Sequence, residues 1–201
     1  MKTIFLFWTL FLIQVSLVAQ VEIHEWDDFQ FNIYTATYFK ELSIVQQKIN
    51  PEEIDYNLLN AAIFYRTNEE RVKQGREEFI HSNALEKSAF SHSKDMVQYN
   101  FYSHNSPVEF KETMTKRLAL VNIQNVAAAE NIYNFFEKDP TYWSIADKLV
   151  DGWMKSPGHR ANILNPEYKY LGCGAFYYVN NEWLDYFWVK STQNFSTMDA
   201  Q

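Results

Sequence analysis

One cysteine, Cys173, stands in a chain of 201 residues whose first twenty have the make-up of an export signal. A chain made for an oxidising compartment ordinarily pairs its cysteines, and a single thiol allows no bridge within the molecule. The fold must therefore rest on a buried core, which one domain of this length is large enough to supply. Cys173 lies in Leu171-Gly172-Cys173-Gly174-Ala175 with no neighbouring base or cation to activate it, so it reads as a small buried hydrophobe and not as a nucleophile.

Residues 1–20 hold Lys2, an apolar run from Ile4 to Val18 and then Ala19-Gln20. That is the pattern of a cleaved signal peptide, and about 15 mostly apolar residues fall short of the roughly 20 a membrane span needs. No cysteine near the cut is available to carry a lipid. The sequence thus predicts a secreted or periplasmic protein with no transmembrane domain in the mature chain. The formal charge of −7 becomes one unit more acidic on loss of Lys2, which argues against nucleic acid as a partner.

Residues 21–50 form a leader of unknown role: acidic and aromatic residues alternate to position 33, and Tyr34 to Lys48 suits a short helix. Asn50-Pro51-Glu52-Glu53 then has the signals of a helix start, followed by Leu58, Leu59, Ala62 and Ile63 on one apolar face. That helix is expected to stop near Gly75 and a second to begin at Ser82-Asn83, with Leu85, Ala89, Met96 and Val97 inward. A third is expected over Val108 to Leu120, an extended segment over Asn125 to Asn134, and a fourth from Asp139-Pro140 to Pro157-Gly158. Two aromatic runs, Tyr168 to Val179 and Trp183 to Phe195, meet near Asn180-Asn181 as a hairpin. Helices followed by a terminal hairpin predict an α+β domain.

Three polar islands interrupt these elements: Tyr102-Ser103-His104-Asn105-Ser106-Pro107, Ala129-Glu130-Asn131-Ile132, and Ser156-Pro157-Gly158-His159-Arg160-Ala161-Asn162-Ile163-Leu164. In this order they resemble the CAP superfamily (cysteine-rich secretory proteins, antigen 5 and pathogenesis-related proteins, the SCP domain), in its bacterial, cysteine-poor branch. The resemblance runs from about Leu58 to Phe195, placing the CAP/SCP domain at 51–198. It implies an α-β-α sandwich with a small antiparallel sheet between helical layers, and it makes His104, Glu130 and His159 candidate ligands for a divalent metal in a shared cleft. No single helix can hold all three, because 26 and 29 residues separate them, so their meeting rests on the resemblance.

Two imidazoles and a carboxylate form a sound half-shell for Zn²⁺, although ligand type selects only weakly among transition metals. Asn131 and Asn162 are expected to fix loops, Arg160 to pair with an acid or an anion, and Ser156 with Pro157-Gly158 to present His159. Some bacterial relatives carry Glu where this chain has Pro157, so a fourth ligand is missing here or comes from elsewhere, with Asp151, Glu109 and Glu167 nearest in sequence. His24, His81 and His92 lack diagnostic partners and read as surface or structural. The 16 Phe, 13 Tyr and 6 Trp are read mostly as core.

No nucleophile elbow, phosphate loop or metalloprotease helix is present in the sequence. The expected function is therefore an extracellular or envelope binding module for a metal, small ligand, lipid or peptide. The alternative is a metal-dependent hydrolase of peptide or phosphodiester bonds using the same cleft, with Glu130 as base.

Overall fold

The computed structural model describes residues 26–200; the expected signal peptide and His24 lie outside the described residues. The chain builds three layers. A four-stranded sheet of order β1-β3-β4-β2 forms the middle, from β1 (Ile80–His81), β2 (Ala128–Glu137), β3 (Tyr170–Tyr178) and β4 (Phe187–Ser196). One face carries α3 (Asn83–Gln98), with α4 (Met114–Ala119) beside it. The other carries α2 (Tyr56–Lys73), against which the one-turn α1 (Ala36–Phe39) packs, with α5 (Tyr142–Lys155) and α6 (Pro157–Leu164).

The α+β sandwich is as expected, with one difference: the sheet is mixed. β2, β3 and β4 pair antiparallel, whereas β1 adds to β3 in parallel through Ile80↔Tyr170 and His81↔Leu171. A two-residue strand is too short to show alternation, so nothing in the pattern announced it.

Alternation along β3 sorts the layers. Leu171, Cys173 and Ala175 point into the main core with Leu59, Ile63, Leu149 and Trp153, and burial raises the Cys173 thiol well above its ordinary pKa. Gly172 and Gly174 point to α3, whose backbone lies so close that a Cβ on Gly172 would sit 2.0 Å from the Glu86 nitrogen. Hydrogen is thus the only side chain this contact admits. A second cluster of Leu85, Leu118 and Ile123 fills the space between α3 and α4.

β4 is buried along its length although its C-terminal half is polar. Lys190, Ser191, Thr192, Gln193 and Asn194 are all buried. Gln193 donates to Thr67 Oγ1 at 2.7 Å, Thr192 Oγ1 accepts from Ser93 at 2.8 Å, and Lys190 Nζ donates to the carbonyls of Met96 and Phe101 at 2.8 and 2.9 Å. Apart from Ser191, whose hydroxyl has no partner among the described residues, these side chains are satisfied by helices on both faces, which locks the layers in register.

Several boundaries move. α2 begins at Tyr56, where the Asp55 side chain accepts from the Leu58 N–H at 2.9 Å, and Asn50-Pro51 forms a turn before it. The helix expected over Val108 to Leu120 shrinks to α4, because Thr113 caps it and Phe110 adopts positive φ. Pro157 opens α6 as its first residue, so Pro157-Gly158 starts a helix as well as ending one. Residues 26–50 do not form an independent tether. Trp26, Phe39, Val45 and Ile49 enter the main core, Trp26 packs on the rings of Phe31, Phe39 and Tyr65, and Ile49 N–H donates to the Pro140 carbonyl at 2.9 Å.

Candidate functional site

The loop after α3 starts at Asn100, whose positive φ ends the helix, and it returns across the edge of the sheet at β2. Within it Ser103 and Ser106 side chains accept backbone N–H bonds from Asn105 and Val108, each at 3.1 Å, which fixes the turn bearing His104. Glu130 is the third residue of β2 and projects to the α3 face, as the pairing Glu130↔Asn194 requires. The tertiary fold thereby brings His104 onto Glu130, with Nδ1 2.9 Å from Oε1.

Glu130 is almost fully buried, its side chain 3% exposed, and its second oxygen accepts from Arg117 Nη2 at 2.7 Å. Arg117 is equally buried; it also donates to the carbonyls of His104 at 3.1 Å and Lys111 at 3.0 Å, while its Nε–H has no partner among the described residues. Burial pushes the Glu130 pKa up, but the His104 hydrogen bond and the Arg117 charge outweigh it and hold the carboxyl below its usual value. An ionised carboxylate can only accept, so His104 Nδ1 must carry a proton, and in the neutral ring Nε2 is the free acceptor. The ring remains half open to solvent, 54% exposed.

His159 comes from the opposite face. It is the third residue of α6, and its carbonyl accepts from Asn131 Nδ2 at 3.2 Å. Asn131 also donates to Gln193 Oε1 at 3.1 Å and accepts from Asn162 at 2.9 Å. The expected loop-fixing roles of Asn131 and Asn162 therefore appear as one amide chain that pins α6 to the centre of the sheet. Burial, and then the nearby charge of His104, lower the His159 pKa. Its ring makes no hydrogen bond among the described residues.

Of the three expected ligands, His104 and Glu130 are in direct contact, and His159 joins them through its backbone, held by Asn131 next to Glu130 on β2. Among the described residues no group of three or more His, Cys, Asp or Glu side chains is placed to hold a metal ion. Glu130 stands behind His104 with both oxygens engaged, which suits a carboxylate that orients a ligand more than a ligand itself. The side chains of the trio with a nitrogen not engaged in a hydrogen bond are the two imidazoles, His104 and His159. Of the suggested fourth ligands, Asp151 is committed to Arg66 at 2.9 Å, while Glu109 and Glu167 are exposed. Arg160 is exposed and enters no ion pair among the described residues; Ser156 joins α5 to α6 without a side-chain cap.

Two members of the site were missed in the sequence. Arg117 sits beside Lys116 in a short helix, and nothing local separates the buried cation from the exposed one. His92 is buried, its Nε2–H donates to the Ser103 carbonyl at 3.1 Å, and the same nitrogen lies 3.8 Å from Glu130. Burial drives its pKa down to about 4, so it stays neutral. Its position was legible: Leu85, Ala89, His92 and Met96 form one helical stripe. His81 is structural as expected, stacked on Phe31 and 2.7 Å from Glu86.

Comparison with known proteins identifies the family and the fold. The family model of the cysteine-rich secretory protein (CAP) family matches residues 64–191. The chain is 36% identical over 108 residues to the Bacillus subtilis protein YkwD and 34% identical over 118 residues to the B. subtilis membrane protein YlbC. The matches take up 54% and 57% of this chain but only 38% and 31% of those proteins. An extracellular SCP-domain protein of Bacillus anthracis superposes with a TM-score of 0.58 and 28% identity, over 76% of this chain and 45% of that one. An outer surface protein of Borrelia burgdorferi shares the fold at a TM-score of 0.53 and 16% identity, over 75% of this chain and 97% of that one. No helix among the described residues is long and apolar enough to cross a membrane. With the family model spanning well over half of its length, and with the three islands meeting at one end of the sheet, the chain belongs to the CAP, or cysteine-rich secretory protein, family.

Proposed function

We propose that this is an exported binding module whose His104 and His159 rings together take a divalent transition-metal ion or a ligand that such an ion recruits. The buried line Arg117–Glu130–His104 carries the reading. It maintains Nδ1–H of His104, leaves Nε2 as the ring's free lone pair, and opposes it with a second imidazole of lowered pKa that is available as a neutral donor near pH 7. A bound ion there would supply Lewis acidity toward a carbonyl or phosphoryl oxygen. Glu130 would not act as the base of a hydrolase, since Arg117 and His104 occupy its oxygens away from solvent, so binding is favoured over hydrolysis. Export rests on residues 1–20 and on relatives described as extracellular or outer-surface proteins.

The test is metal analysis of the purified protein, with thermal unfolding under added Zn²⁺ and under chelator, for wild type and the double variant His104→Ala/His159→Ala. At an ion concentration a hundred times the dissociation constant, stabilisation of about 2.7 kcal/mol is expected in the wild type and none in the variant. Equal behaviour of the two proteins, with no metal retained, refutes the proposal.

A further inference from the structure

A cavity lies away from the imidazoles, between the start of α2, the start of α3 and the chain around Asp27–Phe29. Its volume of about 580 Å³ is in the range of small-ligand sites. Phe29, Tyr56 and Phe90 contribute rings to its walls, and buried Asn60 closes its floor, bonded to Ala175 N–H at 3.0 Å and to Glu86 at 3.3 Å. Phe29 is 68% exposed yet firmly placed. Its own N–H donates to the Asp27 side chain at 2.9 Å, the Asp27 N–H donates to Gln30 Oε1 at 2.8 Å, and Trp26 on one side and Phe31 on the other are packed against the domain. Residues 27–29 and 56–60 precede the segment matched by the family model, whereas Asn83, Glu86, Lys87 and Phe90 lie within it.

The rim selects the ligand. Asp27 and Asp28 each keep one carboxylate oxygen beyond the bonds to Phe29 N–H and Asn83. Lys87 and the Asn57 amide also face the cavity and have no side-chain partner among the described residues. Donors and acceptors therefore share one opening. An anion would satisfy only the donors and would meet Asp27, Asp28 and Glu86; a simple cation would satisfy only the acceptors and would meet Lys87. Hydroxyl groups both donate and accept, and the C–H faces of a pyranose ring pack on aromatic rings. We infer that this cavity binds an uncharged saccharide, with Phe29 as the stacking ring and the Asn57 amide and the Asp27 and Asp28 carboxylates as its polar partners.

Saturation-transfer NMR and calorimetry with chitotriose and maltotriose test this, against trigalacturonate and benzyltrimethylammonium as charged controls. One or both uncharged trisaccharides should bind at millimolar concentration or below. Phe29→Ala and Asn57→Ala, both at exposed positions, should each weaken binding about tenfold, which calorimetry reads directly. Both variants should keep the wild-type response to Zn²⁺. Binding of neither trisaccharide, binding unchanged in both variants, or binding only of a charged control overturns the assignment.

Discussion

Replacing Glu130 by Gln removes one charge from the least accessible ion pair of the site and leaves its shape. Arg117 and Glu130 are 2% and 3% exposed at their side chains, so water cannot take over from the lost partner. Arg117 would keep only neutral acceptors, the Lys111 and His104 carbonyls and the amide oxygen of the new glutamine, and its Nε is already unpaired. Removing one member of such a buried pair costs about 3–5 kcal/mol. For a domain of this size that corresponds to a fall in melting temperature of roughly 6–20 °C. Far-UV circular dichroism through thermal and urea unfolding at pH 7 measures it. Arg117→Met should cost a similar amount, and the double variant should cost less than the two single changes added together, because each single change strands the other group. The sign with pH follows from the lowered Glu130 pKa: its contribution is present above the ordinary carboxylate pKa of about 4.3 and is lost as pH falls through the lower folded-state value. If Glu130→Gln and Arg117→Met each cost under about 1 kcal/mol, the pair behaves as a surface salt bridge and the reasoning fails.

Burial holds His92 neutral down to a pKa of about 4, against about 6.5 in the unfolded chain, so unfolding takes up a proton between these values. Stability should therefore fall by about 3 kcal/mol as pH drops from 6.5 to 4, and His92→Gln should flatten that window; an equal slope in both proteins would rule out His92 as its source. Gly174→Ala puts a Cβ 2.1 Å from the Phe90 nitrogen of α3, and overpacking against backbone should cost about 3 kcal/mol or prevent folding, as soluble yield and urea midpoint would report. Trp26→Ala empties a core position that is 3% exposed and should cost about 3–5 kcal/mol; a negligible change in urea midpoint would return residues 26–50 to the status of a loose leader.

The parts of the fold written in local chemistry were legible. Ser82 caps α3 through the Leu85 N–H at 3.1 Å, Gly75 ends the turn after α2 at φ +70°, and the two aromatic runs became β3 and β4. What depended on competition between nearby signals was not. Asp55 outweighed Asn50-Pro51 as a helix start, and Pro157, expected as a stop, serves both to stop α5 and to start α6. At the site, the resemblance singled out His104, Glu130 and His159, but their division of labour is set by Arg117, whose burial is decided only when the loop after α3 folds over α4. The polar half of β4 was similarly opaque: Thr192, Gln193 and Asn194 resemble an exposed strand until helices supply Ser93, Thr67 and Ser88 as partners.

The proposed metal site requires that Glu130 fix His104 as the Nδ1–H tautomer and leave Nε2 to act jointly with His159. Long-range ¹H–¹⁵N correlation of the imidazoles at pH 7.5, recorded before and during addition of Zn²⁺, tests it directly. The account predicts a protonated Nδ1 and free Nε2 for His104 in the metal-free protein, then loss or shift of the free-nitrogen signals of His104 and His159 at the same Zn²⁺ equivalent. An Nε2–H tautomer for His104, or a Zn²⁺ response confined to one of the two rings, would contradict it.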